Sequence, residues 1–314
     1  MKVAYRNIRL SKENKVRLAQ INTIIDEYAA DGYVLTLRQL YYQLVSRDII
    51  PNQQKEYSKL SKILGEGRMA GIVDWSAIED RLRSLEKPAC WDSPKDILET
   101  AVRQYRRDNM ERQINRIEVW VEKDAISRVL ERITRKYGIG LQVQRGYGSI
   151  TALRAAYERV VSDEGRFHLL YLGDHDPSGL DMIRDIEKRI FEFWWGENMD
   201  FTEEECPKDF RECYEYDLFR QLFVITPIAL TAEQVRQYNP PPNPAKLTDP
   251  RSSDYVQEHG DTSYEVDALK PEVLNQILED AILELIDVEK FNESLERQRI
   301  EKEAMKKAID NLNV

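Results

Sequence analysis

The sequence contains few of the residues on which disulfide frameworks, zinc sites and histidine-based catalysis depend. Among its 314 residues are only three cysteines and three histidines. The cysteines, Cys90, Cys206 and Cys213, form no CxxC pair, and the histidines show no HExxH spacing. A disulfide framework, a structural zinc site and zinc-hydrolase chemistry are therefore not indicated.

Long apolar runs and an excess of basic residues are also missing. No run is long enough to cross a bilayer, and the first residues, MKVAYRNIRLSKENK, have no apolar segment of the kind found in signal peptides. We therefore expect a cytoplasmic protein with no membrane partner. The net charge of -10 argues against a surface that binds nucleic acid throughout, because duplex DNA favours Lys and Arg that displace counterions.

Glycine-rich nucleotide loops and serine-hydrolase motifs are absent as well. The sequence has no GxxxxGK[ST] and no GxSxG, and its GEGRMAG stretch follows a predicted helix rather than a strand. No ATP site is indicated in this chain.

The first part of the chain favours a small helical domain. Apolar spacing and candidate N-caps predict helices over residues 11–30, 36–48 and 57–71, followed by a short β-prone segment. Three short helices and a β-prone tail fit a winged-helix DNA-binding domain over residues 1–90. A charged linker helix is predicted at 91–115, after the prolines near 88–94.

The pattern then changes to alternating strands and helices. Apolar β-branched runs predict strands at 117–121, 141–144 and 167–173, with amphipathic helices between and after them. This βαβα order predicts a parallel sheet covered on both faces, in an α/β domain of residues 116–270 with an insertion. LFRQLFVITP offers a further strand, and residues 271–314 read as a charged helical extension.

Carboxylates follow two of these strands at the point where each strand ends. Glu122 comes directly after the first strand, and Asp174 and Asp176 after the third. Because ligand sites of open parallel sheets lie at the carboxyl ends of strands, we expect all three to hold Mg²⁺ or Mn²⁺ for phosphodiester chemistry. His175 is expected to face outward, and Arg145, in QRGYGS, to lie near phosphate.

These motifs resemble a known family. VEK followed by DxDPxG is similar to the Toprim domain of topoisomerases, primases and related nucleases, and TLRQLYYQLV resembles the R-x-x-[FY]-Y element of the topoisomerase VI A subunit and the meiotic double-strand-break enzyme. SYEVDAL is similar to a C-terminal motif of that family. The compact chain looks most like the stand-alone mini-A forms, although Gln39 stands where an acid is common and the pI is near 5.1.

The resemblance implies a type IIB topoisomerase-like transesterase. Tyr42 would be the nucleophile, assisted by Arg38, and cleavage of both DNA strands would pass through a 5′-phosphotyrosyl intermediate that allows rejoining. It also implies a homodimer in which one subunit's tyrosine works with its partner's metal site, a possible ATP-binding B-type subunit, and association with nucleoid, plasmid or viral DNA. Helices of the winged-helix domain would contact double-stranded DNA through four basic residues: Lys55, Lys59, Lys62 and Arg68.

The residues by themselves leave alternatives open. Arg38 and Tyr42 lie at i and i+4, one helical turn apart, where the guanidinium can favour the phenolate, but such a pair can also simply stack on a helix surface. A Toprim nuclease would use a metal-activated water in place of Tyr42. A non-catalytic DNA-binding protein would keep the metal for structure alone.

Overall fold

The N-terminal part of the chain is helical, with two very short strands. The computed structural model describes residues 2–79, 88–162, 165–199, 206–244, 255–257 and 260–311. Its first elements are α1 (Lys12–Ala30), β1 (Leu35–Thr36), α2 (Leu37–Ser46), α3 (Gln54–Met69) and β2 (Ile78–Glu79). Ser11 caps α1 by accepting a hydrogen bond from the Asn14 N–H, and Thr36 forms a reciprocal capping box with Gln39 on α2.

The winged-helix domain stays a prediction. The three helices enclose a common apolar core, to which α1 contributes Leu18 and Ile21 and α2 contributes Leu40 and Leu44. β1 and β2 pair in parallel. A wing would follow β2, and residues 80–87 lie outside the described residues. The linker helix α4 (Pro94–Gln104) occupies part of the predicted 91–115 span.

A four-stranded parallel sheet forms the centre of the α/β part, as the sequence predicts. The strands lie in the order β4-β3-β5-β6, and every neighbouring pair is parallel. The elements are β3 (Asn115–Val121), α5 (Asp124–Tyr137), β4 (Gly140–Val143), α6 (Ile150–Ser162), β5 (Arg166–Leu172), α7 (Pro177–Asn198), α8 (Tyr214–Leu222), β6 (Phe223–Ala229) and α9 (Ala232–Tyr238). The sheet with its helices is compatible with a Toprim-like α/β fold.

Both faces of this sheet are covered by apolar side chains. Successive residues of β3 point to opposite faces, so Val119 joins one core and Trp120 the other. The register places Val121 of β3 beside Leu172 of β5. The residues that follow these two strands therefore emerge next to each other.

The C-terminal part returns to the edge of the sheet where the parallel strands end, and then packs against the linker region. An antiparallel pair, β7 (Pro242–Pro244) with β8 (Thr262–Tyr264), precedes α10 (Pro271–Leu283) and α11 (Val288–Asp310). The α11 helix packs on the linker region of its own chain, where Glu301 accepts hydrogen bonds from Tyr105 at 2.7 Å and Arg107 at 2.8 Å. Within the described ranges, no helix is long and apolar enough to span a membrane.

Candidate metal and tyrosine site

Three carboxylates lie at the carboxyl ends of β3 and β5, and we call Glu122, Asp174 and Asp176 the strand-end set. Glu122 Oε2 accepts a hydrogen bond from the Asp174 N–H at 2.9 Å. Asp176 caps α7, its Oδ1 accepting from the Gly179 N–H at 2.6 Å. One strand-to-helix turn thus orients both aspartates, beside the glutamate of the neighbouring strand.

Two glycines allow this turn to be so tight. A Cβ at Gly173 would lie 2.6 Å from the Tyr171 ring and 3.0 Å from Glu122 Oε2. A Cβ at Gly179 would lie 2.2 Å from the backbone oxygen of Asp174. The glycines in GDHDPSG therefore permit close approach of the backbone to the carboxylates.

A second segment, distant in sequence, completes the site. His175 and Tyr264 form an antiparallel bridge through two backbone hydrogen bonds, of 2.9 and 3.0 Å. This bridge carries Glu265 and Asp267 to the strand-end set, and the Val266 N–H donates to Asp174 Oδ1 at 2.9 Å. The expectation that His175 faces outward is wrong, because its side chain is buried beneath this segment.

The most compact group of acids is a buried triad formed by Asp174, Glu265 and Asp267. In the part of the chain that the structure describes, these are the acids whose ligand oxygens all lie within 4.8 Å of one another. The triad is a candidate cation site, since carboxylate oxygens are hard ligands of the kind that suits Mg²⁺ or Mn²⁺. It shares only Asp174 with the strand-end set that the sequence predicts.

The Lys123 ammonium lies within this triad. Its Nζ is 2.6 Å from Asp174 Oδ1 and 3.2 Å from Asp267 Oδ1, and it also contacts Glu265. Burial would lower the pKa of Lys123, but the three carboxylates outweigh that effect and raise it. The ammonium therefore stays charged.

The electrostatics of the acids reflect burial and crowding. Burial raises the pKa of Asp174 to about 8, and the Lys123 ammonium offsets only part of that shift. Burial also raises the pKa of Glu122, and the nearby Asp176 carboxylate adds to the rise. For Glu265, Lys123 and Arg38 outweigh burial and lower the pKa. Repulsion of this kind is relieved by cations, so the site favours positive charge.

Arg38 connects the N-terminal part of the molecule to the acids. Its Nε lies 2.6 Å from Asp267 Oδ2, and a second nitrogen pairs with Glu265. Its guanidinium carbon lies 5.8 Å from the centre of the Tyr42 ring. Arg38 and Tyr42 line a cleft of about 540 Å³ together with Asp176 and Glu265. The proposed nucleophile and one of the proposed metal ligands therefore face the same cleft of one chain.

Tyr42 is shielded from solvent, and its pKa is raised. Its side chain is only 5% exposed. Burial raises its pKa above the usual range, and the charges of Glu265 and Asp267 add to the rise. Arg38 acts in the opposite direction, as the i, i+4 spacing predicts, but it does not outweigh them. Tyr41 packs instead, its single O–H shared between two acceptors, Asn52 Oδ1 at 3.0 Å and the Gln53 carbonyl at 3.2 Å.

Comparison of the chain with family models, curated proteins and solved structures gave no match.

The basic residues predicted to contact DNA differ in their surroundings. Lys55, Lys59 and Lys62 are exposed along α3, with Lys59 paired to Glu56 at 2.5 Å. Arg68 is half-buried and donates to the carbonyls of Trp75 and Ile78, at 3.3 and 2.9 Å. It therefore stabilises the fold of this region. Arg145 is exposed on its loop with φ 53°, and pairs weakly with Asp124 at 3.7 Å.

Three residues that meet in this site are not among the site residues that the sequence predicts: Lys123, Glu265 and Asp267. Lys123 follows Glu122 directly in VEK, and the two acids lie in SYEVDAL. Their i, i+2 spacing repeats that of Asp174 and Asp176 and was a usable signal. The spacing alone could not locate these acids in the fold, because β8, the strand before them, is only three residues long and leaves no strand pattern in the sequence.

Proposed function

We propose that this protein is a metal-dependent DNA cleavage and rejoining enzyme of the topoisomerase VI A type, acting through a 5′-phosphotyrosyl intermediate. The observation that carries the proposal is the shared cleft in which Tyr42 and Arg38 face Asp176 and Glu265. A tyrosine, a guanidinium and a carboxylate cluster are the groups that phosphoryl transfer to a protein hydroxyl requires.

The residues fit a divalent metal ion. Gly173 lets the backbone approach the Glu122 carboxylate closely, and the strand-end set supplies hard oxygen donors. Glu122, Asp174 and Asp176 would hold Mg²⁺ or Mn²⁺. Such an ion, when bound, stabilises negative charge on the scissile phosphate and on the departing oxygen.

The residues of the chain would divide the remaining work. Attack by the Tyr42 hydroxyl oxygen on phosphorus forms the phosphotyrosyl bond and breaks the bond to the 3′ oxygen. The phenolic proton passes to solvent, and the 3′ oxygen takes up a proton and leaves as a hydroxyl. Arg38 would contact the phosphate in the cleft and offset its charge. The reverse attack by the 3′ oxygen rejoins the strand, because the energy of the phosphodiester is conserved in the tyrosyl link.

The proposed substrate is double-stranded DNA. The exposed lysines of α3, Lys55, Lys59 and Lys62, would contact phosphates, and Arg145 would do so nearer the acids. Cleavage of both strands needs two copies of the site, so we propose a homodimer. Strand passage would draw on an ATP-binding partner subunit of the B type.

The test is a cleavage assay with a matched tyrosine control. Supercoiled DNA is incubated with the protein and Mg²⁺ or Mn²⁺, then denatured and treated with protease. Wild type and Tyr41→Phe are expected to leave peptide on the 5′ ends, and Tyr42→Phe is expected to leave none. Protein-linked ends from Tyr42→Phe would refute the nucleophile, and their absence from wild type would refute the proposed reaction.

A second candidate, a nuclease that uses a metal-activated water, is favoured by the burial of Tyr42. A tyrosine that is 5% exposed and has a raised pKa is poorly prepared to attack. Such a nuclease would produce free 5′ ends. It would keep its activity in Tyr42→Phe and lose it in Asp174→Ala, so the same assay separates the two functions.

A further inference from the structure

The cation position inside the buried triad is occupied by a side chain of the protein. Lys123 Nζ contacts one oxygen of each of the three acids, and the Lys123 side chain is only 16% exposed. A lysine this buried needs charged partners on several sides, because its ammonium has lost most of its water. The three acids replace that water.

The acids around the ammonium come from two separate parts of the chain, and α2 contacts two of them. Lys123 lies between the end of β3 and the start of α5. Asp174 is fixed by the Val266 N–H, and Asp267 is almost fully buried in the short turn after β8. Arg38, on α2, forms ion pairs with two of the same carboxylates. The ammonium is therefore part of a network with several anchors.

The net charge of the site limits how many further cations it can hold. The strand-end set and the triad share Asp174, so together they hold five carboxylates, and Lys123 and Arg38 supply two positive charges. The net charge is then -3 when all of these groups are ionised. One divalent ion at the strand-end set brings it to -1. A second ion in the triad would have to displace the Lys123 ammonium.

We propose that Lys123 is the built-in second cation of this site, so that the chain binds one divalent metal ion, at the strand-end set, while the triad is closed to metal. The inference rests on the proposed function only in placing the metal at Glu122, Asp174 and Asp176. Lys123 thereby does the electrostatic work that a second metal ion performs in two-metal phosphoryl-transfer sites.

The experiment counts bound Mn²⁺ on the full chain without DNA, by isothermal titration and by electron paramagnetic resonance of free Mn²⁺. Wild type and Lys123→Arg are expected to bind one ion per chain. Lys123→Met, which keeps the length of the side chain and removes the charge, is expected to bind two. Lys136→Met is the control, because Lys136 pairs with Glu279 away from the site, and it should bind one.

A second pair of variants keeps the test decisive if Lys123→Met does not fold. Asp176→Asn removes a strand-end ligand and is expected to weaken Mn²⁺ binding at least about tenfold. Asp267→Asn removes only a triad acid and is expected to change the affinity less than about threefold. Two ions on wild type, one ion on a folded Lys123→Met, or equal losses in the two Asn variants would overturn the inference. Because no DNA is present, failure to cleave DNA would count against the proposed function alone.

Discussion

Replacing Gly179 by alanine is expected to open the turn that carries Asp174 and Asp176. The new Cβ would lie 2.2 Å from the Asp174 backbone oxygen and 3.3 Å from Asp176 Oδ1. Ordinary contact begins at 3.4 Å, so the turn would have to open by about 1.2 Å (3.4 minus 2.2). The nearest atom belongs to the backbone and cannot rotate away as a flexible side chain could.

Two consequences of this shift can be measured. Overpacking of this kind costs about 1–3 kcal/mol of unfolding free energy. A misplacement of about 1 Å in the groups of an active site costs about 100-fold in rate. Gly179→Ala is therefore expected to weaken Mn²⁺ binding and DNA cleavage far more than its stability loss explains.

Gly196→Ala provides the control in the same helix. Nothing lies within 4 Å of a Cβ at Gly196, and alanine is favoured over glycine in a helix by up to about 1 kcal/mol. In urea unfolding, Gly196→Ala should therefore be more stable than wild type and Gly179→Ala less stable. In the Mn²⁺ titration, only Gly179→Ala should lose affinity. If both variants keep the Mn²⁺ affinity and unfolding free energy of wild type, the steric reasoning about this turn is wrong.

Three further outcomes are expected. Because Tyr42 and Asp176 line one cleft of a single chain, mixing Tyr42→Phe with Asp176→Asn chains should not restore protein-linked ends; restoration would show a site shared across the dimer, as the family resemblance implies. Burial lowers the pKa of His168, so the folded chain disfavours its protonated form, and the unfolding free energy measured in urea should fall as pH drops below about 6.5. The fall should be smaller in His168→Gln, and an equal fall would contradict the assignment. Lys62→Ala should weaken DNA binding and reduce the dependence of log affinity on log salt by about one unit, whereas Arg68→Ala should lower thermal stability; equal losses of DNA affinity would contradict the distinction.

Much of the α/β architecture follows from local patterns. The strands at 115–121, 140–143 and 166–172 lie within about two residues of the predicted ones. Their apolar β-branched runs can be satisfied only by burial on both faces, and the amphipathic helices between them supply the cover. The edge position of Glu122 and Asp174 follows from the same pattern, since strand ends of a parallel sheet share one edge.

The composition of the site does not follow from local patterns. Asp267 is 144 residues from Lys123 and Val266 is 92 residues from Asp174 in the sequence, yet both pairs are hydrogen-bonded. The segment that carries Asp267 and Val266 pairs its backbone with the turn through an isolated bridge between Tyr264 and His175. No periodicity marks a contact between one isolated residue pair, so the burial of His175 was also mispredicted.

The sequence by itself determined the parallel sheet, the acids at its edge and the helix on which Arg38 and Tyr42 share a face, because each depends on spacing along one element or on the order of adjacent elements. Only the tertiary structure decided that Lys123 fills an acidic triad and that Arg38 reaches acids from the far end of the chain. Charges separated by long stretches of sequence interact through space, and the folded backbone sets those distances.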